Sequence, residues 1–272
     1  MDNKNYTICD AHAHIFPESI ALKAVKNIGD FYSLNMYYPS GSSESLKKGG
    51  SRIGVSHYLV CSTATVVHQV ESINRFIINE CAKNPEFVGL GTLHPDYEDT
   101  EKEVDFLLSS GIKGIKLHPD FQRFDIDDKK AMKIYEVIEN RLPVLIHMGD
   151  PRYDYSRPYR LEYVIKAFPK LKIIAAHLGG YERWEEAKSC KYSDNVYFDT
   201  SSSLPFISRS FARELIEYYG EDRVFFGTDF PMWDHISELE RFLSLGFDEK
   251  VNKKILSENF MRFFDLDKEK TI

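Results

Sequence analysis

The feature that most restricts the fold is a regular alternation of short apolar runs with amphipathic segments. The apolar runs have the length and composition of buried strands, and the segments between them have the spacing of helices. Strands are predicted at 7–11, 58–62, 87–92, 114–118, 143–147, 172–177, 196–200 and 224–229. Helices are predicted at 69–83, 100–110, 127–140, 161–168, 205–219 and 236–245. Strands that alternate with helices of this length indicate right-handed βαβ units and a parallel sheet.

Polar residues at the strand ends favour a closed barrel over an open sheet. The residues that stand there are His14, His94, His118, His147, His177, Asp199 and Asp229. In a barrel the carboxyl ends of all strands converge on one mouth, whereas in an open sheet they lie in a row. A barrel of this kind needs about 250 residues, and the chain has 272. The sequence therefore predicts an α/β fold, a (β/α)₈ TIM barrel, with a single domain over 1–272.

Residues 15–57 fit the alternation poorly. Residues 37–43 (YYPSGSS) are polar and turn-rich, so a continuous helix is not expected there. We interpret 15–57 as an insertion after the first strand that caps the active site, with helices near 21–28 and 43–49.

Charge and cysteine usage exclude several classes of protein. A net charge of -7 disfavours a nucleic-acid surface, which needs a basic field. No apolar run approaches the roughly 18 residues of a membrane span, and no apolar signal segment follows Met1. The four cysteines form no CxxC pair, which favours reduced thiols in the cytoplasm. The expected partner is a small-molecule substrate, with no nucleic acid and no membrane.

The sharpest chemical signal is the string DAHAH at 10–14. Side chains alternate along a strand, so His12 and His14 point to the same face and can hold one ion. Neutral imidazole is a good ligand for zinc and its neighbours. An HxH string is common by chance, however, and by itself it leaves two unrelated surface histidines as an open reading.

Three later strands end in further candidate ligands. Alternation places His147 on one face with Leu145, and it gives His177 and Asp229 corresponding positions on their strands. An aspartate behind five apolar or small residues is costly to bury unless it binds a metal or a strong donor. One such histidine could be an ordinary core residue, but several strands with candidate ligands together predict a metal site.

The order HxH, His, His and a final Asp resembles the amidohydrolase superfamily. The strings DAHAH at 10–14, GIKLHP at 114–119, AHLGG at 176–180 and FGTDFP at 226–231 resemble its amidohydrolase-2 branch. The segment ILSENFMRFF at 255–264 is similar to the closing helix of that branch. The branch includes aminocarboxymuconate-semialdehyde decarboxylase, aromatic-acid decarboxylases, and lactone or amide hydrolases. The resemblance covers nearly the whole chain and does not specify a reaction.

The resemblance assigns roles to the matching residues. It implies that the metal ligands are His12, His14, His147 and Asp229, and that the catalytic residues are Asp229 and His177. The ion would be zinc or manganese. Lys116 would bind a substrate carboxylate or serve the structure, although a carbamylated lysine bridging two metals is the alternative. Members of the branch commonly pair, so a homodimer is the expected assembly.

The chemistry follows from the charges. A divalent ion lowers the pKa of water to about 7, and Asp229 would accept the proton while His177 polarises the substrate. The expected reaction is hydrolysis of a small carboxylate-bearing amide, lactone or ester. Lys116, His118, Arg123 and Arg157 are predicted to bind the substrate, although a loop arginine is as often an ordinary solvated residue.

Three other functions remain open at this point. The first is nonoxidative decarboxylation of a small unsaturated or aromatic acid with the same fold and metal. The second is a TatD-like metal nuclease, which carries an extra acidic ligand on a middle strand; here that strand reads GIKLH at 114–118. The third is a non-catalytic binding barrel, which usually lacks one of the ligands.

Overall fold

The computed structural model describes residues 6–266, in which eight strands form one sheet with the order β1 to β8. The strands are β1 Ile8–His14, β2 Val55–Cys61, β3 Phe87–Thr92, β4 Gly114–Leu117, β5 Val144–Ile146, β6 Ile173–Ala175, β7 Val196–Asp199 and β8 Val224–Phe225. The strands from β3 to β7 pair in parallel; Leu145, for example, pairs with Lys116 on one side and Ile174 on the other. The predicted (β/α)₈ barrel is confirmed.

Helices separate consecutive strands. They are α1 Glu18–Tyr32, α2 Ser43–Ser51, α3 Val70–Lys83, α4 Thr100–Ser109, α5 Pro119–Gln122, α6 Lys129–Ile138, α7 Pro158–Ala167, α8 Trp184–Ser189, α9 Arg209–Tyr219, α10 His235–Leu243, α11 Glu249–Lys253 and α12 Asn259–Phe263. A π-helical turn, Lys254–Glu258, joins the last two. The sequence missed α8, because six residues are too few to show a helical period.

The described chain divides into two compact units, which we call unit 1 (residues 6–59 and 200–266) and unit 2 (residues 60–199). In unit 1 the first and last strands meet: the Ala11 amide donates to the Phe226 carbonyl at 2.8 Å. Further along, the His14 amide donates to the Phe230 carbonyl at 2.7 Å. The prediction of one domain over 1–272 extends past the described residues and stays a prediction.

Four predicted strands end before the candidate site residue that was expected to close them. β4, β5, β6 and β8 stop before His118, His147, His177 and Asp229, so these residues follow the strands. His177 has a φ of 59° and Asp229 a φ of 55°, which is left-handed backbone outside any strand. Strand alternation therefore does not set the direction of these side chains. β1 shows the opposite error, because it continues through His14 rather than ending at residue 11.

The segment 15–57 contains the two predicted helices, both longer than expected, as α1 and α2. The side chain of Ser42 caps α2 by accepting a hydrogen bond from the Ser45 amide at 3.3 Å. The predicted start of the second strand at residue 58 is wrong, because β2 already begins at Val55. The insertion itself stays a prediction. Within residues 6–266, none of the helices has the length and apolarity needed to cross a bilayer.

Candidate metal centre

The two histidines of β1 lie side by side. His12 is fully buried and His14 is partly exposed, and their Nε2 atoms are 3.2 Å apart. This proximity follows from the strand itself, because residues two apart in an extended chain project to one side. The expectation that these two imidazoles share a face is confirmed.

Asp229 joins the pair from the segment after β8. Its Oδ1 lies 3.7 Å from the His12 Nε2 atom and 3.3 Å from the His14 Nε2 atom. Gly227 permits this approach, because a Cβ at that position would stand only 3.2 Å from the His12 Cβ. The three side chains form what we call the His12 cluster, which lies within unit 1.

The donor set and spacing of the His12 cluster fit a divalent ion. Nitrogen and oxygen ligands lie about 2.1 Å from zinc, so ligand atoms around one ion are about 3.0–3.4 Å apart. The separations of 3.2, 3.3 and 3.7 Å are close to that range. Two neutral imidazoles and a carboxylate suit both zinc and manganese.

Partners behind the His12 cluster hold its ligands in place. The Nδ1 atom of His12 lies 3.0 Å from the Ser201 hydroxyl, which leaves Nε2 directed at Asp229. The buried Asp10 accepts hydrogen bonds from the Thr228 amide at 2.9 Å and the Thr228 hydroxyl at 2.6 Å. Such partners fix the orientation and tautomer of a metal-binding histidine. The sequence analysis did not find Ser201, since a serine after a strand has no distinguishing pattern.

A second group of histidines lies within unit 2, at the ends of β4, β5 and β6. The Nδ1 atom of His147 is 3.0 Å from the Nε2 atom of His177, and the rings of His147 and His118 stack with centroids 3.9 Å apart. All three side chains are buried. We call these three residues the His147 cluster.

The tautomer of His147 follows from its partners. Its Nε2 lies 2.9 Å from the carbonyl oxygen of Gly149, which can only accept a hydrogen bond. In the neutral ring Nε2 therefore carries the proton and Nδ1 carries the lone pair, so the Nε2–H of His177 donates to it. A histidine whose other nitrogen donates to a backbone carbonyl is arranged as a metal-binding histidine is.

Asp120 adds a carboxylate beside the His147 cluster. Its Oδ2 accepts from the Ser156 hydroxyl at 2.6 Å and lies 3.6 Å from the His147 Nε2 atom. Its Oδ1 is buried and has no hydrogen-bond partner among residues 6–266. Burial raises the pKa of this carboxyl to about 7, although the Ser156 hydroxyl acts in the opposite direction. The sequence analysis did not single out Asp120, because it lies on a short helix after β4.

The predicted substrate residues occupy different surroundings. Lys116 is fully buried on β4, and His118 belongs to the His147 cluster. Arg123 is exposed at the end of α5. Arg157 forms ion pairs with Glu186 at 2.7 Å and Asp154 at 3.0 Å. A role for these four residues in substrate binding stays a prediction.

Comparison with known proteins places the chain within one family. Residues 9–266 match the family described as amidohydrolase, nearly the whole chain. Among solved structures, 5-carboxyvanillate decarboxylase from Sphingomonas paucimobilis is 17% identical, with a TM-score of 0.75 over 96% of this chain and 99% of that one. A dihydroxybenzoic acid decarboxylase from Polaromonas, solved with manganese and 2-nitroresorcinol, is 17% identical, with a TM-score of 0.73 over 96% and 98%. A Pseudomonas putida protein assigned as a 2-pyrone-4,6-dicarboxylic acid hydrolase is 18% identical, with a TM-score of 0.68 over 97% and 99%. At these identities the structural similarities show the fold.

Proposed function

We propose that this chain, which belongs to the amidohydrolase family, is a metal-dependent enzyme that decarboxylates a small aromatic or unsaturated carboxylic acid. The observation that carries the proposal is the His12 cluster, in which two imidazoles and a carboxylate bring three ligand atoms within 3.7 Å of one another. Two of the structurally similar proteins are named as decarboxylases of hydroxybenzoic or related acids, and one of these was solved with manganese.

The candidate site residues have different roles in the proposed reaction. His12, His14 and Asp229 would hold zinc or manganese. His147 is the fourth ligand that the sequence predicts, and it would bind through Nδ1 in place of the hydrogen bond from His177. An ion held there would supply Lewis acidity, which stabilises negative charge on oxygen atoms. His177 carries a proton on Nε2, which it donates to His147 Nδ1 at 3.0 Å. With His147 Nδ1 engaged as a ligand instead, that proton would be free to replace carbon dioxide on the substrate carbon, so one carbon–carbon bond breaks and one carbon–hydrogen bond forms.

The state of Asp229 favours decarboxylation over hydrolysis. In hydrolysis this carboxylate has to accept a proton from water. Its Oδ2 already accepts a hydrogen bond from the Ser202 hydroxyl at 2.5 Å, and its Oδ1 faces the two imidazoles. These contacts suit a fixed ligand better than a general base. Hydrolysis of a carboxylate-bearing amide, lactone or ester is the second candidate, and the similarity to the pyrone dicarboxylic acid hydrolase supports it.

A paired activity screen tests the proposal. The purified chain, loaded with manganese or zinc, is incubated with a panel of hydroxybenzoic acids while carbon dioxide release is measured. A second panel of lactones, amides and esters is followed by acid release in the same buffer. We expect carbon dioxide from the first panel and no turnover of the second. Turnover of the second panel alone would establish the hydrolase, and no turnover of either would reject both reactions.

We further propose that the segment 15–57 caps the active site. The amides of Tyr37 and Tyr38 each donate at 3.1 Å to carbonyls of the segment after Asp229, those of Met232 and Pro231. The Tyr38 hydroxyl lies 2.9 Å from the His235 Nδ1 atom. These contacts anchor the insertion next to the His12 cluster.

Replacement of Tyr38 tests the cap. We expect Tyr38→Ala to raise KM about tenfold with an unchanged circular dichroism spectrum. The variant loses the side-chain contacts with His235 and Phe230 that hold the insertion down, while the main-chain hydrogen bonds and the strand core remain. The control is Leu22→Ala, which changes a side chain of α1 that is 65% exposed. An unchanged KM in Tyr38→Ala would mean that the insertion does not cover the site. Light scattering on the same samples tests the predicted homodimer.

A further inference from the structure

We propose that Ser202 and Trp233 are positioning residues that fix the carboxylate of Asp229 for metal binding. The inference rests on the proposed metal site and deepens it. It assigns a role to two residues that do not touch the predicted ion.

The three side chains are linked by two hydrogen bonds, and their chemistry sets which atom donates in each. The Trp233 Nε1 lies 2.9 Å from the Ser202 Oγ, and that Oγ lies 2.5 Å from the Asp229 Oδ2. An indole N–H can only donate and an ionised carboxylate can only accept. The Ser202 hydroxyl therefore accepts from Trp233 and directs its own proton at Asp229.

The backbone holds both partners of the central hydrogen bond. Ser202 is 2% exposed with a φ of 46°, and Asp229 is 6% exposed with a φ of 55°. Residues other than glycine adopt left-handed backbone only where the surrounding structure imposes it. The backbone therefore fixes where the two side chains begin, and the hydrogen bond between them fixes how they are oriented.

Trp233 is held in turn by its own contacts. Its ring meets the edge of Phe206 with centroids 5.6 Å apart. The Arg241 guanidinium lies over the Trp233 ring, 5.9 Å from its centroid. These contacts keep the indole N–H directed at Ser202.

These hydrogen bonds fix the orientation of the Asp229 carboxylate, so that one of its oxygens faces the histidines. With Oδ2 engaged by the hydroxyl, Oδ1 is left 3.3 Å from the His14 Nε2 atom. Without the hydroxyl the carboxylate can rotate about its terminal torsion, which is a soft one. A partner of this kind typically contributes 10–100-fold to metal affinity.

The experiment is a manganese titration of metal-free protein, followed by competition with a fluorescent chelator. Ser202→Ala and Ser202→Gly both remove the hydroxyl, and glycine does so without strain at positive φ. Trp233→Phe keeps an aromatic ring and removes the N–H together with part of the indole. The matched control is Ser203→Ala, since the buried Ser203 hydroxyl donates to the Ser201 carbonyl and not to Asp229.

We expect about 10–100-fold weaker manganese binding in both Ser202 variants and a smaller loss in Trp233→Phe. The manganese electron paramagnetic resonance spectrum should change in these three variants and not in Ser203→Ala. Wild-type affinity and spectrum in folded Ser202→Gly and Trp233→Phe would overturn the inference while leaving the proposed metal site standing. A wild-type chain that binds no manganese or zinc would instead reject the proposed function, and the inference with it.

Discussion

The chain in which His12 and His14 are both replaced by alanine is expected to retain no divalent metal and to lose all measurable turnover. These two side chains supply two of the three ligand atoms of the His12 cluster, with Nε2 atoms 3.2 Å apart. Of the cluster only the carboxylate of Asp229 remains, and even with the predicted ligand His147 it makes too incomplete a site to hold zinc or manganese. Metal analysis of the purified proteins measures the effect directly, with about one ion per chain expected in the wild type.

The fold should survive this double substitution. β1 keeps its backbone pairing, including the hydrogen bond from the Ala11 amide to the Phe226 carbonyl, and alanine is tolerated in a buried strand. His68→Ala is the control, because His68 is exposed and lies outside both clusters. Full metal occupancy in the double variant would show that the site assignment is wrong.

Asp229→Asn is expected to lower turnover about 100-fold or more while the protein stays folded. Asparagine has the shape of aspartate and still offers an oxygen to the Ser202 hydroxyl. In the wild type that hydroxyl lies 2.5 Å from the Asp229 Oδ2 atom. It carries no charge, so it attracts a divalent ion weakly and cannot accept a proton. The loss is therefore expected for decarboxylation and for hydrolysis alike.

Steady-state kinetics and metal analysis of this variant separate two effects. Lower occupancy indicates a ligand role, and full occupancy with low turnover indicates a role as base. Asp30→Asn is the matched control, because Asp30 is exposed and pairs only with Lys26 on its own helix. Wild-type turnover in a folded Asp229→Asn protein would place the essential carboxylate elsewhere.

Local rules were sufficient for the strands and for the first ligand pair. Apolar runs of period two and helical segments of period 3.6 are properties of neighbouring residues, so β3 was predicted at its observed bounds. The pairing of His12 with His14 likewise needs only an extended backbone, which β1 provides through His14. Family membership followed from short strings that surround these residues.

The direction of the later site residues was decided by the tertiary structure. The strand argument placed His177 and Asp229 inside strands, but both have left-handed backbone after the strands end. Once the chain leaves the extended region, alternation no longer applies, and the side chain points where long-range contacts hold it. For Asp229 those contacts come from Ser202, which is 27 residues away in the sequence.

The sequence alone determined that this chain is a (β/α)₈ barrel of the amidohydrolase family with an HxH pair on its first strand. Each of those features can be recognised from residues that are close together in the sequence. Only the tertiary structure decided how the Asp229 carboxylate is oriented toward the imidazoles and which nitrogen of His147 carries the proton. It also brought Ser201, Ser202 and Trp233 into the hydrogen bonds that support the ligands. Hydrogen bonds between distant segments are set by how the loops pack, and no local pattern of residues encodes that packing.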